Sequence, residues 1–352
     1  MAYYSIVGKF ARMLPAETAH NAAIYALKYG FVPSMKLPQH DSLKAQVFGL
    51  QFSNPVGLSA GFDKEGEAID ALLSQGFGFI EVGTVTPLSQ PGNPKPRLFR
   101  LTADRAIINR FGFNSSGIDV FTGNLKKRKH DGIVGANISR NKASLDAAND
   151  YSKALAAVYD LADYITVNIS SPNTVGLRDL QQKQALSSLM KVIEEDRNRL
   201  AAAAGKRKPV LYKIAPDLEQ HDKEDIVEVA LAYNVDGLII SNTTISRSQN
   251  LLSGHQGEKG GLSGKPLFAA STEVLRDVYR ISKGKIPLVG SGGIASAEDA
   301  YTKIKAGASL VQLYTALVYQ GFELVRDINE GLAKLLERDG LKSISEAVGK
   351  EA

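Results

Sequence analysis

The chain has 352 residues, 44% hydrophobic and 22% charged, with a net charge of +5, which suits one large soluble α/β domain with a sizeable core. It contains no cysteine, and this excludes disulfides, thiolate metal sites, cysteine-ligated iron–sulfur clusters and a catalytic thiol. The basic excess is small for this length, so it fits a solvated surface as well as an anionic ligand, a membrane surface or nucleic acid.

Residues 3–14 and 16–30 predict two short amphipathic helices. Tyr3, Val7, Phe10 and Leu14 recur at helical spacing in the first, and Ala19, Ala23, Leu27 and Phe31 follow the second, which Pro15 is placed to open. With Lys9, Arg12 and Lys28 as a basic rim, the pair reads either as a cap on the core or as an interfacial membrane dock. Residues 33–42 read as a linker. No stretch approaches the roughly 20 apolar residues of a transmembrane helix. Lys9 and Arg12 interrupt the N-terminus too early for a signal peptide.

Residues 47–52 predict a small hairpin around Gly49. Apolar runs at 56–59, 79–84, 134–138, 165–169, 210–214, 237–241, 288–290 and 310–313 then predict strands. Helical patterns separate them at 65–75, 116–130, 148–161, 180–203, 220–233, 271–282, 296–306 and 317–337. Strands alternating with helices imply a parallel sheet, and this many units predict a (β/α)8 TIM barrel. No G-x-G-x-x-G follows the first strand, which argues against a dinucleotide-binding Rossmann domain. Residues 96–110 predict a hairpin at the barrel mouth. The long, glycine-rich, polar stretch 246–262 reads as a loop, and its composition does not decide whether it moves. The domain reading is a helical extension over 1–40, the barrel over 41–337 and a polar tail over 338–352 with no assigned role.

In a barrel the C-terminal strand ends form the active face. Those ends carry Ala60-Gly61-Phe62-Asp63-Lys64, Thr84, Asn137, Asn168 with Ser171 and Asn173, Lys213, Asn242-Thr243, Gly292-Gly293 and Tyr314-Thr315. Each alone could serve only a turn; turn chemistry gives no reason to aim two lysines into one mouth. Lysines ask for anions, and asparagines suit a flat ligand with amide-like edges. No paired carboxylates and no histidine stand at these ends, which disfavours glycosidase, His-centred and metal chemistry. Gly290-Ser291-Gly292-Gly293-Ile294, after the seventh strand and before a helix, predicts a backbone phosphate cradle.

Taken in order, several stretches resemble the quinone-dependent, membrane-associated class of the dihydroorotate dehydrogenase family, from about residue 3 to residue 337. They are Asn54-Pro55-Val56-Gly57-Leu58, Ala60 to Lys64, Glu81-Val82-Gly83-Thr84-Val85-Thr86-Pro87 and Pro96-Arg97-Leu98-Phe99-Arg100-Leu101. Next come Asn109-Arg110-Phe111-Gly112-Phe113-Asn114, Asn168 to Thr174 with Gly176-Leu177-Arg178, and Lys213-Ile214-Ala215-Pro216-Asp217. Ser241-Asn242-Thr243-Thr244 and Gly260-Gly261-Leu262-Ser263-Gly264 complete the set.

The resemblance implies oxidation of (S)-dihydroorotate to orotate in pyrimidine biosynthesis, with FMN as hydride acceptor and a membrane quinone as final acceptor. It implies that Ala60, Gly61, Phe62, Asp63, Lys64, Thr84, Asn137, Asn168, Lys213, Ser241, Gly264, Gly293, Tyr314 and Thr315 hold FMN. Dihydroorotate would be held by Lys64, Asn109, Arg110, Phe111, Gly112, Phe113, Asn168, Asn173, Asn242 and Thr243. Ser171 would be the catalytic base, and His20 and Arg100 would line the quinone path. Soluble relatives use a cysteine base, which this chain lacks, and the helical pair resembles the quinone-binding extension of the membrane class. The implied location is peripheral, on the cytoplasmic face of a bacterial-type cell membrane, without transit or signal peptide, metal or nucleic acid. Among rival FMN barrels, an α-hydroxy-acid oxidase wants a histidine base and a dihydrouridine synthase a catalytic cysteine.

Overall fold

A computed structural model describes residues 8, 13–35 and 37–352. The first expected helix, 3–14, lies largely outside the described residues. The hairpin expected at 47–52 forms from β1 (Ala45–Val47) and β2 (Leu50–Phe52). The remaining strands are β3 (Val56–Leu58), β4 (Phe79–Val85), β5 (Leu98–Leu101), β6 (Ala106–Asn109), β7 (Ile133–Ile138), β8 (Tyr164–Asn168), β9 (Val210–Ile214), β10 (Gly237–Ile240), β11 (Gly261–Gly264), β12 (Leu288–Ser291) and β13 (Ala308–Leu313). Parallel pairing closes a barrel in the order β3-β4-β7-β8-β9-β10-β12-β13 and back to β3. Most of these strands are buried along their whole length, because helices cover one face and packed side chains fill the other.

The helices are α1 (Ala16–Lys28), α2 (Ile69–Leu73), α3 (Ile118–Leu125), α4 (Ala147–Val158), α5 (Lys183–Ala204), α6 (Gln220–Ala232), α7 (Phe268–Ser282), α8 (Ala297–Lys305), α9 (Thr315–Gln320) and α10 (Glu323–Arg338). Two depart from their apolar periodicity. The pattern over 65–75 yields only α2, because the Asp63 carboxylate accepts from the Glu67 and Ala68 N–H groups at 2.9 and 2.8 Å and holds the preceding residues in turns. Gly66, at φ 67°, fixes that left-handed turn. The pattern over 317–337 splits into α9 and α10 at Gly321, whose φ is 77°.

The β1–β2 hairpin plugs the N-terminal end of the barrel. Phe52 meets Phe79, the first residue of β4, edge-on at 5.3 Å, and Phe48 packs over Gly237, the first residue of β10. The tail packs against that side of the barrel too. Ile344 and Ala347 are buried, and the Gly349 and Glu351 N–H groups donate to the Ile304 and Lys305 carbonyls at 3.1 and 2.8 Å.

Over the C-terminal mouth lies a second, antiparallel sheet, β5-β6-β11. The hairpin expected at 96–110 supplies β5 and β6; β11 comes from the region read as loop. The stretch 246–262 is anchored rather than free. Leu251 is buried with Phe99, Leu101, Ala106, Ile108 and Leu262, Arg247 donates to the Glu258 and Gly260 carbonyls at 3.0 and 2.6 Å, and Arg110 pairs with Glu258 at 2.6 Å. The Leu251 packing and the Arg110–Glu258 pair join this stretch to the β5–β6 hairpin.

Candidate active site

The floor of the site is a polar cluster inside the barrel, centred on Glu81 of β4. Glu81 has no exposed surface. Its carboxylate accepts from Asn137 Nδ2 at 2.7 Å, Thr166 Oγ1 at 3.0 Å, Tyr164 Oη at 3.1 Å and Gln312 Nε2 at 3.0 Å. These partners come from β7, β8 and β13, so one acid ties together strands far apart in sequence. Thr84 Oγ1 donates to Asn137 Oδ1 at 2.5 Å, and Asn168 Nδ2 reaches both at 3.2 Å. Lys213 of β9 donates to Ser59 Oγ at 3.1 Å. Burial lowers its affinity for a proton, and the Glu81 charge opposes that shift.

Above this floor the strand ends surround a cavity of about 520 Å³, a size that suits a small organic ligand. Lys64, Asn109, Phe111, Gly112, Phe113, Asn168, Ser171, Asn173, Lys213, Asn242 and Thr243 all line it. Lys64 donates to Asn114 Oδ1 at 2.7 Å and lies 3.1 Å from the Phe111 ring centre. Burial, aided by the Arg97 charge, pushes the Lys64 ammonium down to about 7. Asn173 Nδ2 donates to Asn109 Oδ1 at 3.2 Å, joining the loop after β8 to the end of β6.

Pro172 breaks the chain after β8, and the following residues form a braced loop. Ser171 is 7% exposed, and its Oγ accepts from the Asn173 N–H at 3.3 Å. Thr174 Oγ1 is buried without a hydrogen-bond partner. Tyr151 and Ser139 hold the Asn168 carbonyl at 2.7 and 3.1 Å. Arg178 spans the neighbouring loops, donating to the Ser170 and Thr243 carbonyls at 3.0 and 2.8 Å and to Asp217 at 2.8 Å.

At the other end stands the glycine turn after β12, read in the sequence as an anion cradle. Gly292 and Gly293 take φ of 109° and 77°. A Cβ on Gly293 would stand 2.6 Å from the Cα of Phe268, the first residue of α7. Only glycine permits that approach, which brings the turn against the start of α7. Ser296 caps α8 by accepting from the Asp299 N–H at 3.1 Å. Donors of this kind suit a phosphate.

On the rim, α1 lies against the β5–β6 hairpin and α2. Leu27 is buried, and Glu17 pairs with Arg97 at 2.8 Å and with Lys95 at 3.4 Å. His20 meets Phe62 edge-on at 5.5 Å, and Phe62 meets Tyr314 at 5.6 Å. Burial and the nearby Lys64 charge push the His20 imidazole down to about 4. Arg100 donates to the Leu14 carbonyl. Met13, Tyr25, Tyr29 and Phe31 of this region are 80%, 58%, 56% and 67% exposed.

Most of the residues singled out in the sequence converge on the cavity, including Ala60, Gly61, Thr84, Ser241, Gly264, Gly293, Tyr314 and Thr315. Six do not line it, and two of these, His20 and Arg100, stand on the rim described above. Phe62 packs between His20 and Tyr314. The Asp63 carboxyl, pushed up to about 6 by burial, serves the turn before α2. Asn137 stands behind Thr84, and Arg110 pairs with Glu258. Ser59, Lys265, Phe268 and Gln312 line the cavity without having been singled out. A buried glutamine in the apolar run of β13 was the available signal for Gln312; Phe268 offered none.

The comparisons agree with this arrangement. A family model described as Dihydroorotate dehydrogenase matches residues 42–336. The chain is 52% identical over 354 residues to a dihydroorotate dehydrogenase (quinone) of Azorhizobium caulinodans, covering 100% of this chain and 99% of that one. It is 48% identical over 372 residues to the mitochondrial dihydroorotate dehydrogenase (quinone) of Arabidopsis thaliana, covering 98% and 81%. Among solved structures, a ligand-free DHODH from Eimeria tenella superposes with a TM-score of 0.91 at 41% identity, covering 96% of this chain and 99% of that one.

Proposed function

The chain belongs to the dihydroorotate dehydrogenase family and oxidises dihydroorotate to orotate with a quinone as acceptor, and from that premise we propose how its residues divide the reaction. One observation carries the assignment: Ser171, Lys64, Lys213 and the asparagines line the same cavity as the Gly292–Gly293 turn. The family is flavin-dependent, and the phosphate-sized cradle beside a buried lysine and polar strand ends supports FMN as the flavin. Bound there, FMN would supply the acceptor for the hydride from C6 of dihydroorotate and the route for its electrons to the quinone.

The phosphate end is assigned to Gly264, Gly293, Tyr314 and Thr315, and the ring end to Ala60, Gly61, Thr84, Asn168, Lys213 and Ser241. Phe62, Asp63 and Asn137 support these contacts from behind. Lys213 stabilises the negative charge that builds on reduction, from a position where water cannot screen it. Lys64 with Asn109, Asn173, Asn242 and Thr243 grips the substrate's carboxylate and imide edges, and residues 110–113 wall the pocket. Ser171 removes the C5 proton. A serine hydroxyl is a weak base that needs activation, and the unpartnered, buried Thr174 Oγ1 is available to pass the proton onward. Ser171→Ala is expected to slow anaerobic flavin reduction by roughly 10²–10⁴-fold. A Thr174→Val rate and pH profile matching wild type would rule out the relay.

Residues 1–40 are assigned as the quinone- and membrane-docking extension, 41–337 as the barrel and 338–352 as the tail. His20 and Arg100 lie beside the entry assigned to quinone. Among the described residues no helix is long and apolar enough to cross a membrane. The exposed Met13, Tyr25, Tyr29 and Phe31 support peripheral docking, here assigned to the cytoplasmic face. The purified protein is expected to be yellow, to bleach with dihydroorotate without oxygen, and to recover colour with quinone but not with NAD or fumarate. A colourless protein, or a flavin that dihydroorotate leaves oxidised, would sink the reading. Removing residues 1–40 is expected to spare bleaching and slow recolouring.

A further inference from the structure

Directly beneath the glycine turn lies a charged residue that the reaction does not use. Lys303 of α8 has no exposed surface. Its stem runs under Gly290 of β12, where a Cβ would meet Lys303 Cδ at 3.2 Å. Its ammonium donates to Ser271 Oγ at 2.8 Å and Thr272 Oγ1 at 2.9 Å, both on the first turns of α7. It lies 5.1 Å from the Phe268 ring centre. Ser271 Oγ stands 3.2 Å from the Gly292 carbonyl and 3.1 Å from the Phe268 carbonyl, and its one proton serves either, so one hydroxyl separates the lysine from the turn.

Two of the three N–H groups of this ammonium are bonded, but its charge is not compensated. Among the described residues no carboxylate pairs with it. The acid acting on it, Asp299 one turn earlier on α8, does not prevent burial from pushing Lys303 down to about 7. Its Oδ2 is engaged by the Ala295 N–H at 2.9 Å. An uncompensated buried cation is costly, and in so apolar a setting its field reaches well beyond hydrogen-bonding distance. The anion-binding backbone of Gly292–Gly293 lies on the other side of Ser271.

We propose that Lys303 is a positioning residue for the cofactor phosphate: a buried counter-charge that stabilises the dianion across Ser271 and the Gly292 carbonyl without touching it. The inference rests on FMN being the cofactor. Lys303 thereby distinguishes FMN from the same flavin lacking its phosphate. A lysine that merely tied α7 to α8 would affect both flavins alike.

The test titrates the full-length, flavin-stripped chain with FMN and with riboflavin, followed by quenching of flavin fluorescence. Wild type is compared with Lys303→Gln, which keeps a donor for the hydroxyls, and Lys303→Met, which keeps only the stem. Both variants are expected to weaken FMN binding by roughly tenfold or more and riboflavin by less than about twofold. Equal losses for the two flavins, or no loss in either variant, would overturn the inference alone. A wild-type chain that binds neither flavin would overturn the FMN reading and the inference with it. A second readout needs no substitution. With ε-¹³C lysine in the wild-type protein, the Lys303 resonance is expected to titrate at higher pH with FMN bound than with riboflavin, and identical midpoints would overturn the proposal.

Discussion

The barrel floor and the α1 attachment use charge in opposite ways. Around Glu81, one fully buried carboxylate accepts from four side chains on three strands, so the acid is fixed by all of them at once. At the rim, α1 buries Leu27 and leaves Met13, Tyr25, Tyr29 and Phe31 exposed, relying on the Glu17–Arg97 pair and the His20–Phe62 contact. A buried network resists movement, since displacing the central acid leaves several polar atoms unsatisfied. A helix held at the rim by a few side-chain pairs and one ring contact detaches far more readily. Substrate geometry needs the first kind of support; a dock between protein and lipid is served by the second.

The sharpest way to break this contrast is Glu81→Ala. It should cost about 3–5 kcal/mol of stability, because the Asn137, Thr166, Tyr164 and Gln312 donors and the buried Lys213 all lose their acceptor or counter-charge. Chemical denaturation checks this, and a loss below about 1 kcal/mol would show that the floor is no more integrated than the rim.

Acid should act next, and on the rim. His20 is held neutral down to about pH 4, whereas in the unfolded or undocked state it takes up a proton near its ordinary value of about 6.5. Its contribution is therefore complete above about pH 6.5 and lost as pH falls from there towards 4, by up to about 3 kcal/mol. Hydrogen exchange in α1, corrected for intrinsic rates, should accelerate across that window while β4 and β8 stay protected; His20→Leu should remove the acceleration.

Arg97→Met should cost about 1–3 kcal/mol in α1 docking, because the partly buried Glu17 keeps only the more distant, exposed Lys95 as a partner. It should slow quinone reoxidation more than flavin reduction in stopped-flow measurements. Lys28→Met provides the lower bound. The Lys28–Glu67 pair has side chains 42% and 35% exposed, so its loss should change exchange in α1 by less than about 1 kcal/mol.

Legibility in the sequence followed the locality of the cause. Apolar runs ending in Lys, Asn, Ser or Thr marked the barrel strands and their active ends, because burial on both faces leaves a continuous signature. Gly261-Leu262-Ser263-Gly264 carried no such mark. It becomes β11 only because Ala106–Asn109 offers an edge to pair with. For the same reason 246–262 read as a loop until Leu251 packed with Phe99 and Leu101 and Glu258 paired with Arg110. Asp63 stood at a strand end like its neighbours, yet its carboxylate turns towards the N–H groups before α2, a choice made by local geometry rather than residue type.

By itself, the sequence determined the alternation of strands and helices, the absence of any thiol chemistry, and the set of polar groups delivered to one face. These depend on residue type and on spacing along the chain. The tertiary structure decided that Glu81 would be a hub rather than a strand residue, that Lys303 would lie beneath the glycine turn, and that Asn137 would stand behind Thr84 instead of in the cavity. Those outcomes depend on which distant side chains share a buried volume, where each polar atom must find a partner, and no local pattern encodes that pairing.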